Sequence, residues 1–202
     1  HKVASIALGV GATARHWREK SLEWRFSAFI LATGLPGVIA GAAFILDVPE
    51  RAAQVALGVL TIGLGVYSFF SKRLGLDHTP AHRTAHGYVV GGIVLLLIGA
   101  LNGSLTSGTG LFCTIWLVRW FGLDYRRAVA YTLVLVGVFW NGAGAITLTL
   151  LGEVKWTWVP TLLVGSLAGG YAGAHWSIKK GNVWIKRAFE AVTILVGLKL
   201  IV

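Results

Sequence analysis

The chain reads as a series of long apolar blocks, each closed by a small cluster of charge. Eight can be marked: Val3 to Ala14, about Trp24 to Leu46, about Ala52 to Phe70, and Tyr88 to about Leu101. The others are Leu111 to about Leu123, Ala128 to Leu151, Trp156 to about Ala174, and about Ala188 to Val202. Within the blocks apolar and polar residues do not alternate. The blocks also exceed the ~9–11 residues of a barrel strand. The pattern therefore predicts an all-α integral membrane protein, a multi-span helical bundle embedded in a lipid bilayer. Composition sharpens this: 55% of residues are hydrophobic and 13% charged, against about a quarter charged in soluble domains. The 27 glycines suit close helix packing, and the nine tryptophans, mostly near block ends, suit the headgroup level.

The net charge of +10 does not indicate a nucleic-acid partner, because that requires cations gathered on one soluble face. Here they fall in threes and fours between blocks. Arg15, Arg18, Lys20 and Arg25 follow the first block; Lys72, Arg73 and Arg83 the third; Arg119, Arg126 and Arg127 the fifth; Lys179, Lys180, Lys186 and Arg187 the seventh. The intervening connections hold only Arg51 and Lys155, so alternate sides carry fourteen cations against two. By the positive-inside rule, loops 15–25, 71–87, 119–127 and 176–187 are expected to be cytoplasmic, in a multi-pass protein of the cell (inner) membrane.

The blocks also repeat. Gly37-Val38-Ile39-Ala40-Gly41 resembles Gly169-Gly170-Tyr171-Ala172-Gly173, and each run follows a tryptophan, Trp24 or Trp156, at a similar distance. Arg51-Ala52-Ala53-Gln54 is echoed by Arg187-Ala188-Phe189-Glu190. Equivalent loops carry opposite charge loads, which predicts an inverted-topology repeat, an architecture of secondary transporters. Residues 1–70 are then an incomplete first repeat of three helices, 71–87 a cytoplasmic loop, and 88–202 a second repeat. Blocks four and five have no counterpart ahead of block one, so a matching pair is expected before His1.

Blocks four and five predict a broken or re-entrant helix pair around residues 88–123. Each reaches only about 20 Å at ~1.5 Å per residue, short of a ~30 Å hydrocarbon core. Between them the stretch from Gly99 to Gly110 is polar, uncharged and glycine-rich. Such backbone at membrane depth is tolerated where protein or a wet cavity satisfies it. The free N–H groups opening block five would favour an anion. The candidate substrate-binding residues are Gly103, Ser104, Thr106, Ser107, Gly108, Thr109 and Gly110, with Asn141 from mid-block six. A plain helix-packing turn, and interhelical hydrogen bonding by Asn141, are the alternatives.

Other polar residues point to less. Glu190 is expected to pair with Arg187 one turn away. His78, His82 and His86 recur every four residues, but Pro80 disfavours a helix there and a solvated loop is expected, not a metal site. Cys113 alone cannot form an intrachain disulfide. No metal and no cofactor are expected.

From Gly99 through Thr132 the chain resembles the second pore motif of the sulfite exporter TauE/SafE family of membrane transporters. The matching features are Gly99 and Gly103, Ser107-Gly108-Thr109-Gly110, the half-helix from Leu111, and Ala128-Val129 opening the next span. The turn from Glu153 to Trp156 and the Gly-rich block after it also match. Thr109 departs from the family's usual third glycine. The resemblance implies export or uptake of a small sulfur-containing anion such as sulfite or an organosulfonate, by alternating access. A homo-oligomer is compatible with it. Two other functions compete: a non-transporting membrane scaffold, and an intramembrane serine protease using Ser107 and His175.

Overall fold

In a computed structural model, residues 2–16, 22–44, 50–104, 109–151 and 159–201 are described, and they are helical apart from short connections. The helices are α1 (Lys2–His16), α2 (Trp24–Phe44), α3 (Glu50–Phe70), α4 (Ala85–Ser104) and α5 (Thr109–Arg119). After them come α6 (Tyr125–Tyr131), a π-helical segment (Thr132–Trp140), α7 (Asn141–Leu151), α8 (Val159–Lys180) and α9 (Asn182–Ile201). Large apolar side chains point outward along many of them. Phe69, Phe70, Val89, Ile146, Leu150, Val164 and Leu195 are all well exposed, as the lipid-facing surface of a membrane bundle requires. Among the described residues, Trp24–Ala43, Ala85–Ser104 and Tyr125–Leu150 are long and apolar enough to cross a bilayer.

One expectation about length is corrected. Block four is not short: α4 has 20 residues, about 30 Å at 1.5 Å per residue. The helix continues through Ala85-His86-Gly87 before the apolar run and through Asn102-Gly103-Ser104 after it, and hydropathy marks neither end. Block five does stay short, since α5 has only 11 residues. Block six is one apolar run but three segments, α6, the π-helical stretch and α7. A wider turn is invisible to a hydropathy reading.

The helices close on one another through glycine. A Cβ on Gly37 would sit 2.1 Å from the Leu96 carbonyl oxygen, and one on Gly41 2.0 Å from that of Ala100. From the opposite side, a Cβ on Gly99 would meet the Gly34 carbonyl oxygen at 2.3 Å and one on Gly103 that of Val38 at 2.0 Å. These reciprocal approaches bring the α2 and α4 backbones into contact. Gly11 and Gly170 do the same for α1 and α8, against the carbonyls of Leu167 and Leu8. Gly9 lies against Leu133 and Gly137 of the π-helical segment.

Connections rich in Lys and Arg gather at one end of the bundle. Thr79 N–H donates to Gly122 (2.9 Å), Ala81 N–H to Phe121 (3.1 Å) and Tyr125 N–H to Gly75 (2.8 Å). Asn182 joins them, donating to the Leu76 carbonyl (2.8 Å) and accepting from the Arg126 N–H (3.0 Å). Arg83 bridges to Glu23 at 3.4 Å. Asp124 caps α6 by accepting from the Arg127 N–H at 2.9 Å. Of the three histidines expected on a loop, His78 and His82 lie in the connection between α3 and α4, and His86 lies in the first turn of α4; His82 has φ +52°, and its ring stacks on Trp120 at 4.1 Å.

Candidate functional site

A cavity of about 350 Å³ lies where α1, α4, α5, the π-helical segment and α7 converge. Asn102 enters from the end of α4, Thr109 and Gly110 open α5, and Thr114 follows one turn on. Thr132, Val136 and Gly137 face it from the π-helical segment, Ser5 and Leu8 from α1, and Asn141 from α7. The walls are largely apolar, with a few hydroxyls and amides, the usual make-up of a small-molecule pocket.

The polar groups form two clusters. Asn102 Nδ2 donates to Thr109 Oγ1 at 2.8 Å, while Asn102 Oδ1 is buried with no partner among the described residues. If the amide turns over, the Thr109 hydroxyl donates to Oδ1 and the amide NH₂ is freed as a donor. Thr114 Oγ1 lies 3.1 Å from the Gly110 carbonyl and 2.9 Å from Thr132 Oγ1, tying α5 to the π-helical segment. Asn141 Nδ2 donates to the Val136 carbonyl at 2.9 Å, five residues back. It thus lines the cavity while satisfying an acceptor of the widened helix. π-helical turns recur at functional sites.

Of the sequence candidates, Thr109, Gly110 and Asn141 line the cavity. Gly103 packs on Val38 of α2 instead, for want of room for a Cβ. Ser104 is half-buried, with its hydroxyl 3.3 Å from the Leu101 carbonyl. Thr106, Ser107 and Gly108 lie outside the described residues. Asn102, Thr114, Thr132 and Ser5 were not singled out. Asn102 stood in the polar stretch as its lone amide, a usable signal, whereas Thr114 and Thr132 are hidden in apolar runs.

A further polar cluster lies apart from the cavity, and it corrects the pairing expected of Glu190. Its partner is Lys186, one turn earlier on the other side of Arg187, and both side chains are largely buried. Ser68 of α3 donates to Glu190 Oε1 at 3.0 Å, and Tyr125 OH lies 2.8 Å from the Ser68 hydroxyl. Lys186 also donates to the Ser68 carbonyl. His175, proposed as one half of a protease dyad, has its Nδ1 3.4 Å from Arg15 Nε on an exposed face of α8.

Comparison with known proteins places the chain among transporters. It is 23% identical over 202 residues to a Haemophilus influenzae protein named "Probable membrane transporter protein", covering 100% of this chain and 78% of that one. It is 21% identical to two Bacillus subtilis proteins of similar name, YdhB and YjnA. Those matches cover 92% and 93% of this chain and 76% and 78% of the relatives. No solved structure matches it significantly. The family model described as Sulfite exporter TauE/SafE matches residues 1–200. The chain therefore belongs to the sulfite exporter TauE/SafE family, and it is a multi-pass membrane transporter, not an enzyme.

Proposed function

We propose that this transporter carries a small anion, sulfite or an organosulfonate, and that the cavity at the start of α5 is its substrate chamber. The observation that carries this reading is the cavity itself. Its hydroxyls and amides meet the amino-terminal end of an 11-residue helix, and that end bears about half a positive charge. A volume near 350 Å³ accommodates a small oxyanion or sulfonate with its first waters. The family resemblance supports the sulfur-containing class.

The mechanism is alternating access between two inverted repeats, the first ending in α3 and the second beginning with α4, with residues 71–84 between them. Pairing of α1 with the π-helical segment and of α3 with α9 supports it, because equivalent helices would meet across the pseudo-two-fold axis. The gathering of the cation-rich connections at one end supports a cytoplasmic face there, in a cell (inner) membrane.

Uptake by proteoliposomes tests the reading, with sulfite, an organosulfonate and chloride compared, and with Thr109→Leu and Gly110→Leu alongside wild type. A Cβ at Gly110 already approaches Thr132 Cγ2 to 3.3 Å, so the larger side chain fills the chamber. Anion flux in wild type that both variants lose is the expected result. Unchanged flux in folded variants would place the chamber elsewhere.

A further inference from the structure

We propose that Lys2 is the counter-charge that makes this cavity select an anion. The inference rests on the reading of the cavity as a substrate chamber and names the residue that sets its charge preference.

Lys2 opens α1 and is only 5% exposed. Its Nζ donates to the backbone carbonyl of Asn102, a residue that lines the cavity. Its stem runs along Gly144 of α7, where a Cβ would lie 3.0 Å from Cδ and 3.2 Å from Nζ. Three elements thus frame the ammonium: α1 supplies it, α4 receives it, and α7 leaves the space. One turn along α1, Ser5 lines the same cavity.

No carboxylate answers this charge among the described residues. The ion pairs lie elsewhere, at Arg83–Glu23, Arg127–Asp124 and Lys186–Glu190. The carboxyl end of α4 contributes about half a negative charge, but the amino end of α5 contributes about half a positive one beside it. Among the described residues the ammonium is therefore met by a carbonyl and by helix ends of opposite sign, but by no full negative charge. A buried cation held by a carbonyl alone still lacks a counter-anion, and intramembrane ionisable residues of this kind mark substrate pathways. A monoanion in the cavity supplies the missing charge, whereas a cation or a neutral solute does not.

The test measures uptake into proteoliposomes by full-length protein, with sulfite as anion and glycerol as neutral probe, for wild type, Lys2→Met, Lys2→Gln and Lys2→Arg. The neutral variants are expected to raise the half-saturating sulfite concentration roughly thirtyfold or more, as loss of a buried charge partner does. Lys2→Arg should stay within a few-fold of wild type, a rescue that a packing role would not give. Wild-type sulfite affinity in a folded Lys2→Met or Lys2→Gln would overturn the assignment. Should neither neutral variant fold, Lys2→Arg decides alone: a loss of sulfite affinity despite retained charge would also overturn it. If wild type moves glycerol but not sulfite, the anion reading itself falls. If wild type moves sulfite and the neutral variants do so equally well, only the lysine assignment falls.

Discussion

Single residues decide how the buried polar groups are satisfied. Glu190→Gln would leave the Lys186 ammonium buried without its carboxylate, and breaking such a pair costs about 3–5 kcal/mol. A marked drop in melting temperature in detergent is expected, while Arg187→Gln changes little. The reverse ranking would restore Arg187 as the partner. His78 gives a pH dependence outside the membrane-spanning segments. Burial is the main cause holding its imidazole below the usual 6.5; Arg127 and Arg83 push it down further, and Asp124 and Glu23 act against them. The folded form then binds fewer protons than the unfolded one. Its contribution to stability is complete above about pH 6.5 and is lost as the pH falls through the lowered value. His78→Gln should flatten this part of a stability–pH curve, and an unaltered curve would remove His78 from the account. Neither environment was readable beforehand. Spacing put Arg187 and Lys186 equally within reach of Glu190, and only the facing Ser68 and Tyr125 of other helices select Lys186.

At the scale of elements, the spans were legible because bilayer solvation demands unbroken apolar runs. Their ends were not, since polar residues continue a helix wherever protein surrounds them. The π-helical stretch from Thr132 to Trp140 has no signature in hydropathy. Its one sequence trace is Asn141, an amide at depth, which donates to the carbonyl five residues back. Asn141→Leu removes that side-chain donor, while the backbone N–H of residue 141 still reaches the Val136 carbonyl, so the cost is that of one hydrogen bond, about 0.5–1.5 kcal/mol. Faster amide hydrogen exchange between Thr132 and Trp140 than in wild type is the expected readout. Unchanged protection there would mean that the widened turn does not depend on the amide. Only part of the candidate site was legible, for a related reason: Thr109 and Gly110 stood in a polar stretch, whereas Thr114 and Thr132 look like any residue of an apolar helix.

For the whole molecule, the glycine approaches are the sensitive points. Gly37→Ala places a methyl against the Leu96 carbonyl, with backbone on both sides and no side chain able to yield. Separation of α2 from α4 and loss of folded protein are expected, by size-exclusion profile and thermal melting. Gly169→Ala, which meets nothing within 4 Å, serves as the tolerated control, and equal behaviour of the two would contradict the packing. These glycines also set how the two repeats can move. Each joint ties a helix of the first repeat to one of the second, α2 to α4 and α1 to α8, and backbones in direct contact cannot slide. The cavity lies between these joints, with Asn102 and Thr109 on one side and Ser5, Leu8 and Thr132 on the other. Among the described residues, the hydrogen bonds Lys2 to Asn102 and Thr114 to Thr132 span it. Under the proposed mechanism the repeats would pivot about the glycine joints, and an arriving solute or water would replace the hydrogen bonds that such a tilt breaks.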